Sequence, residues 1–122
     1  MPRIGLARRT KRHGRIMKGD VVVVPFPFSD LSSWKKRPAV IATKLGGDDV
    51  VLCQITSKER NDSYSIALTG SDFKQGELNL ASIIRPNRIF TAAKSLIFYK
   101  VGNLTDRKTR EMEEKLVSMF RS

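Results

Sequence analysis

The chain has 122 residues, with 23 Lys and Arg against 12 Asp and Glu and a formal net charge of +11. That length supports one small domain with one core, and the charge favours a polyanionic partner, nucleic acid first, because uncompensated like charge opposes a compact fold. A single cysteine, Cys53, excludes an intrachain disulfide and fits a reducing cytoplasm. No apolar run approaches the roughly 20 residues that span a bilayer, and "IGLA" is too short for a signal-peptide core, so no membrane association is expected.

Residues 1–16 carry Arg3, Arg8, Arg9, Lys11, Arg12 and Arg15 with no acid, so six of the eleven net charges lie there and +5 remains for 17–122. This stretch has no hydrophobic periodicity and is expected to be a basic, disordered extension; the domain is expected to occupy 17–122. From residue 20 onward, "DVVVVPF", "RPAVIAT", "DVVLCQIT", "YSIALT", "ASIIRP", "RIFTA" and "LIFYKVG" are short Val-, Ile- and Phe-rich runs separated by Gly, Asp, Asn, Ser and Pro. They predict seven short strands in a barrel or a sandwich. Pro25 and Pro27 lack ladder donors and are expected to close the first strand, leaving "SDLSSWKK" at 29–36 as a long polar connection. "LGGDD" at 45–49 is a tight hairpin turn, so 37–43 and 49–56 pair antiparallel. The chain ends in "LTDRKTREMEEKLVSMF", where Thr105 can cap a helix and Met112, Leu116, Met119 and Phe120 form a helical stripe for the core or a dimer face. Asp106 with Arg110, and Glu111 with Lys115, are spaced as surface ion pairs.

Available side chains exclude much chemistry. The only histidine is His13, in the extension, which removes two-histidine acid–base catalysis, Ser-His and Cys-His dyads and a His-rich zinc site. Asp48 and Asp49 sit in a turn, the other acids lack the spacing of two-metal ligands, and no glycine-rich phosphate loop precedes a helix. No cofactor or metal is expected. Any catalysis must come from Arg, Lys, Thr, Ser or Tyr.

The hairpin supplies a place for it. Arg37 lies about ten residues before the turn centre and Thr56 about ten after it, so antiparallel pairing sets them opposite or nearly so. Lys36, Lys58 and Arg60 fall beside them, with Trp34 and Lys35 on the adjoining connection. The result is a cationic site with hydroxyls and an aromatic. RNA brings its own nucleophile, the 2′-hydroxyl, and needs charge stabilisation at phosphorus and proton transfers. Arg donates a bidentate pair of hydrogen bonds to phosphate oxygens, and Thr56 or Ser57 can donate to a non-bridging or leaving oxygen. Arg is a poor general base, so the acceptor of the 2′-proton is not fixed by residue type. Solvated strand-end charges and an ordinary strand threonine are the alternative reading of the same residues.

"KGDVVVVPFPFSD", "KKRPAVIA" and "LCQITSK", in that order, resemble the MazF/PemK toxins of type II toxin–antitoxin systems, over about 17–122. The three blocks supply Gly19 and Asp20, Arg37 and Pro38, and Ile55 to Ser57. The resemblance implies a mainly β, SH3-like barrel of about seven antiparallel strands with a C-terminal helix, forming a cytoplasmic homodimer. It further implies a metal-independent, sequence-specific endoribonuclease (an mRNA interferase) acting on single-stranded RNA and leaving a 2′,3′-cyclic phosphate and a 5′-hydroxyl. Arg37 and Thr56 carry over as catalytic, Ser57 as accessory, with Trp34, Lys35, Lys36, Lys58, Arg60, Arg85 and Arg88 as RNA-binding candidates. A cognate antitoxin with an acidic C-terminal segment is implied as inhibitor, and DNA binding only through that antitoxin. "SIIRPNRIF" keeps Arg85 of the family's "DQIR"-like segment but lacks the preceding acid. Two other functions stay open to the sequence: a CcdB-like toxin acting on gyrase, against which the "ITS" strand end argues, and a non-catalytic RNA-binding barrel.

Overall fold

The computed structural model describes residues 15–27, 34–58 and 61–122. They form β1 (Asp20–Pro27), β2 (Trp34–Lys44), β3 (Asp49–Thr56), β4 (Ile66–Leu68), β5 (Phe73–Gly76), β6 (Ser82–Ala93), β7 (Tyr99–Leu104) and the helix α1 (Asp106–Arg121). The seven strands make one antiparallel sheet in the order β4-β6-β3-β2-β1-β7-β5, a curled half-barrel with α1 packed on it. The expected architecture, mainly β with a C-terminal helix, is the one observed.

Three boundaries differ from the sequence expectation. Trp34, Lys35 and Lys36 belong to β2 rather than to a connection, because β1 continues through its prolines and sets Pro25 opposite Lys36 and Pro27 opposite Trp34. Both prolines lie beyond Val23, the last β1 residue paired with β7, where a missing N–H costs no bond on that side. The runs "ASIIRP" and "RIFTA" are one strand, β6. Its register jumps between Cys53↔Ile89 and Gln54↔Arg85, so Pro86, Asn87 and Arg88 bulge out where proline could not serve the ladder. The strand β5, "FKQG", was not foreseen, since a run with two polar residues and a glycine carries no strand pattern.

Alternation along the central strands produces two buried clusters, one on each face. Val21, Val40, Cys53, Ile55 and Ile84 pack with Met112 and Leu116 of α1, while Val22, Val24, Ala39, Ile41 and Leu52 pack with Ile97. Ile16 joins the second cluster at 2% exposure, so the core reaches one residue past the expected start at Met17. Residues 1–14 of the basic extension lie outside the described residues. The thiol of Cys53 is pushed up to about 12 by burial, which leaves it a small core side chain and not a nucleophile.

Local chemistry fixes the ends. Asp20 is 2% exposed, and its Oδ2 accepts from Met17 N at 2.8 Å and Lys100 Nζ at 3.3 Å, so the Gly-Asp opening of the domain is a structural clamp. Thr105 caps α1 as expected, its Oγ1 accepting from Lys108 N at 3.2 Å. The ion pairs of α1 differ from expectation: Asp106 meets Lys74 and Lys115 donates to the carbonyl of Ser63, both on other segments, while Glu111 pairs with Lys108 one turn back along the helix. In the stripe, Met112 and Leu116 are buried whereas Phe120 is 72% exposed.

Edge strand β5 is seated by a glycine contact. Gly76 pairs with Gly102, takes φ +80°, and would place an added Cβ 2.0 Å from the carbonyl oxygen of Val101. Gly76→Ala should therefore lower the melting temperature by about 10 °C or more, through strained backbone and displaced β7. An unchanged melting temperature would refute this packing.

Candidate active site

The turn that joins β2 to β3 decides where the site lies. Leu45 N donates to Asp49 O at 3.0 Å and Lys44 pairs with Val50, closing the hairpin where "LGGDD" predicts it. A bulge between Ile41 and Thr43 shifts the register by one, Ala39 pairs with Gln54 as the last rung, and that register carried on two residues would set Arg37 level with Thr56. Directly opposed residues point to the same side of a sheet, so the two side chains share a face.

Both line a cleft of about 200 Å³ at the strand ends, together with Ser57 and, from the segment before β6, Leu78, Asn79 and Leu80. The volume is below that of a typical small-molecule pocket and suits a phosphodiester linkage better than a whole nucleotide. Thr56 is 9% exposed, and its Oγ1 accepts from Lys58 N at 3.1 Å. That bond turns the chain off the sheet and uses the oxygen as acceptor, leaving the O–H to donate into the cleft. Arg37 is half-buried, paired with Val24 on β1 and lining the cleft with Thr56.

The remaining candidates separate. Ser57 and Lys58 are exposed beside Thr56. Arg85 sits opposite Gln54, one rung from Thr56 on the same face, with its Nη2 3.8 Å from Asp62 Oδ2. Arg88, in the bulge, reaches Gln54 Oε1 from Nε at 3.5 Å and lines a different cavity of about 490 Å³, with Phe26 and Phe90 in edge-to-face contact at 4.7 Å. Lys35 is exposed on β2. Lys36 lies over the ring of Phe98, 5.3 Å from its centroid, away from the cleft, since neighbouring residues of a strand point to opposite faces. Arg60 and the side chain of Trp34 lie outside the described residues. Asn79 and Leu80 had no signal in the sequence; only the path of the chain from β5 to β6 brings them to the cleft.

Residues 17–120 match the family described as PemK-like, MazF-like toxin of type II toxin-antitoxin system. The chain belongs to this family. Among solved structures, it resembles a mycobacterial endoribonuclease in complex with its cognate antitoxin at 19% identity and TM-score 0.68, over 87% of this chain and 95% of that one. The Mycobacterium tuberculosis toxin MazF-mt6 aligns at 16% identity and TM-score 0.62, over 82% and 96%. A MazE-MazF structure from Deinococcus radiodurans aligns at 14% identity and TM-score 0.64, over 85% and 94%. Identities this low establish the fold. No curated protein sequence matches. The family match of this PemK/MazF-like toxin takes in every strand and nearly all of α1, and no helix among the described residues is long and apolar enough to cross a membrane.

Proposed function

We propose that this PemK/MazF-like toxin is an endoribonuclease that cuts single-stranded RNA at short sequences without a metal ion. The observation that carries the reading is that Arg37, Thr56 and Ser57 line one cleft, in a chain of this family. In the reaction the 2′-oxygen attacks phosphorus, the bond to the 5′-oxygen breaks, and a proton moves to that leaving oxygen, giving a 2′,3′-cyclic phosphate and a 5′-hydroxyl. Arg37 supplies two hydrogen bonds to the equatorial oxygens as charge develops there, and Thr56 with Ser57 donates to a non-bridging or leaving oxygen. Lys58 and Arg85 add charge along the strand.

The test is incubation of the purified chain with a long single-stranded RNA in EDTA, with both ends of the products mapped. Cuts at a recurring short sequence with cyclic-phosphate 3′ ends support the reading. Intact RNA would leave a non-catalytic RNA-binding barrel in its place, and intact RNA with arrested gyrase would favour a CcdB-like action.

The partners follow from the same reading. An antitoxin whose acidic segment covers the basic cleft would block RNA by occupying its phosphate sites, and it would be the route by which the pair meets DNA. A second copy of the chain is the proposed occupant of the apolar face of α1, where Val117 is 49% and Phe120 72% exposed beside Ile89, along a groove of about 910 Å³. Isologous burial of that face would complete a small core in the cytoplasm. Phe120→Asp should shift sedimentation at micromolar concentration from dimer to monomer and leave the fold intact, since that ring contributes little within one chain. A monomeric wild type would refute the dimer.

A further inference from the structure

The loop between β3 and β4 brings an acid to the sheet that the strands themselves do not supply. Asp62 Oδ1 accepts from Tyr64 N, Ser65 N and Ser65 Oγ, each at 2.9 Å, which folds residues 62–65 into a tight turn. Its other oxygen, Oδ2, is left facing Nη2 of Arg85 at 3.8 Å. The Arg85 side chain is 13% exposed, so it is held at a partly dry place and not at a free surface.

The position of Arg85 gives that pairing a consequence. Gln54 and Thr56 are alternate residues of β3 and face Arg85 and Ile83, so Arg85 is the diagonal neighbour of Thr56 on the face that carries Arg37. Diagonal neighbours lie within reach of a long side chain. We infer that Asp62 is a positioning residue that holds Arg85 as a second guanidinium of the site, directed at a phosphate oxygen of bound RNA. The inference rests on the endoribonuclease reading of the cleft. An Arg side chain in solution samples many rotamers, and a carboxylate anchored by three donors removes most of that freedom before substrate arrives. Such preorganisation acts in the transition state more than in binding.

Asp62 does not itself suit the role of proton acceptor. Both its oxygens are engaged, and its carboxyl is held below the ordinary value of 3.8, foremost by the hydroxyl of Ser65, which makes it a weaker base. The acid missing from the segment before Arg85 is thus replaced as a partner of the guanidinium, from a different loop, and not as a base.

A double-mutant cycle on cleavage of a short RNA decides the matter. Asp62→Asn keeps an oxygen for Tyr64 and Ser65, so the turn survives while the charge facing Arg85 is lost; melting temperatures of all variants check this. The expected result is a fall in kcat of about tenfold for Asp62→Asn with KM within about twofold, a larger fall for Arg85→Gln, and a double variant no slower than Arg85→Gln alone. Losses that multiply in the double variant, or Asp62→Asn at the wild-type rate, would overturn the inference while leaving the nuclease reading standing. If the wild type cuts no RNA, the reading of the cleft falls and takes this role of Asp62 with it.

Discussion

Arg37→Ala is expected to lower RNA cleavage at least about a hundredfold while RNA binding falls only modestly. Removal of one preorganised charge stabiliser commonly costs that much in rate, whereas binding is shared with Lys58, Arg85 and the other cations of the chain. The structure sharpens the expectation, because Arg37 lies near the start of β2 beside β1 and lines the cleft, whereas Lys35, the alternate cation on the same face, does not line it. Lys36 points the other way, onto Phe98, and cannot substitute. Arg37→Lys should therefore fail to rescue, since an ammonium keeps the charge and loses the planar fork. Thr56→Ala should act in the same direction with a smaller loss, and should also loosen the turn to Lys58 that Oγ1 now holds. Rates of the variants, measured with binding on the same oligonucleotide, check this. An Arg37→Ala protein that cuts at the wild-type rate would end the Arg/Thr mechanism.

A single 2′-deoxy substitution at the nucleotide 5′ of the cut should abolish cleavage there, and DNA of the same sequence should bind and stay intact. The reasoning is chemical. The described residues near Arg37 and Thr56 offer no histidine and no ionised thiol, and Cys53 is buried in the core with its thiol pushed up to about 12. On the proposed endoribonuclease reading the attacking oxygen is therefore the substrate's own 2′-hydroxyl. Binding should persist because it depends chiefly on phosphate contacts, and should weaken steeply as salt is raised. Cleavage of the deoxy-substituted oligonucleotide would mean an activated water or protein nucleophile and would overturn the proposed reaction.

The hairpin shows what could be read before any coordinates. "LGGDD" flanked by two apolar runs marked the turn, and the turn set β2 and β3 antiparallel with Arg37 and Thr56 near the same end, although a bulge between Ile41 and Thr43 shifts the register by one on the way. The helix was equally legible, from the cap at Thr105 to the burial of Met112 and Leu116. Strand count came out at seven, yet for a mixed reason: β6 joins two expected strands across the bulge at Pro86 to Arg88, and β5 adds one that has no pattern of its own. A three-residue bulge depends on what the partner strand tolerates, and β5 depends on Gly76 and Gly102 meeting closely, so neither is written in a single segment.

By itself, then, the sequence determined the class of fold, the family and the hairpin whose open end carries Arg37 and Thr56, because alternation, turn chemistry and motif order all act over a few residues or between strands joined by a short turn. Only the tertiary structure decided which of the other cations stand with that pair. It turned Lys36 onto Phe98, sent Arg88 to a separate cavity by way of the bulge, and brought Asp62 to Arg85 and Leu78 to Leu80 to the cleft from distant segments. Those placements depend on which face of a strand a residue takes and on how loops return across the sheet, and both are set by the packing of the whole half-barrel.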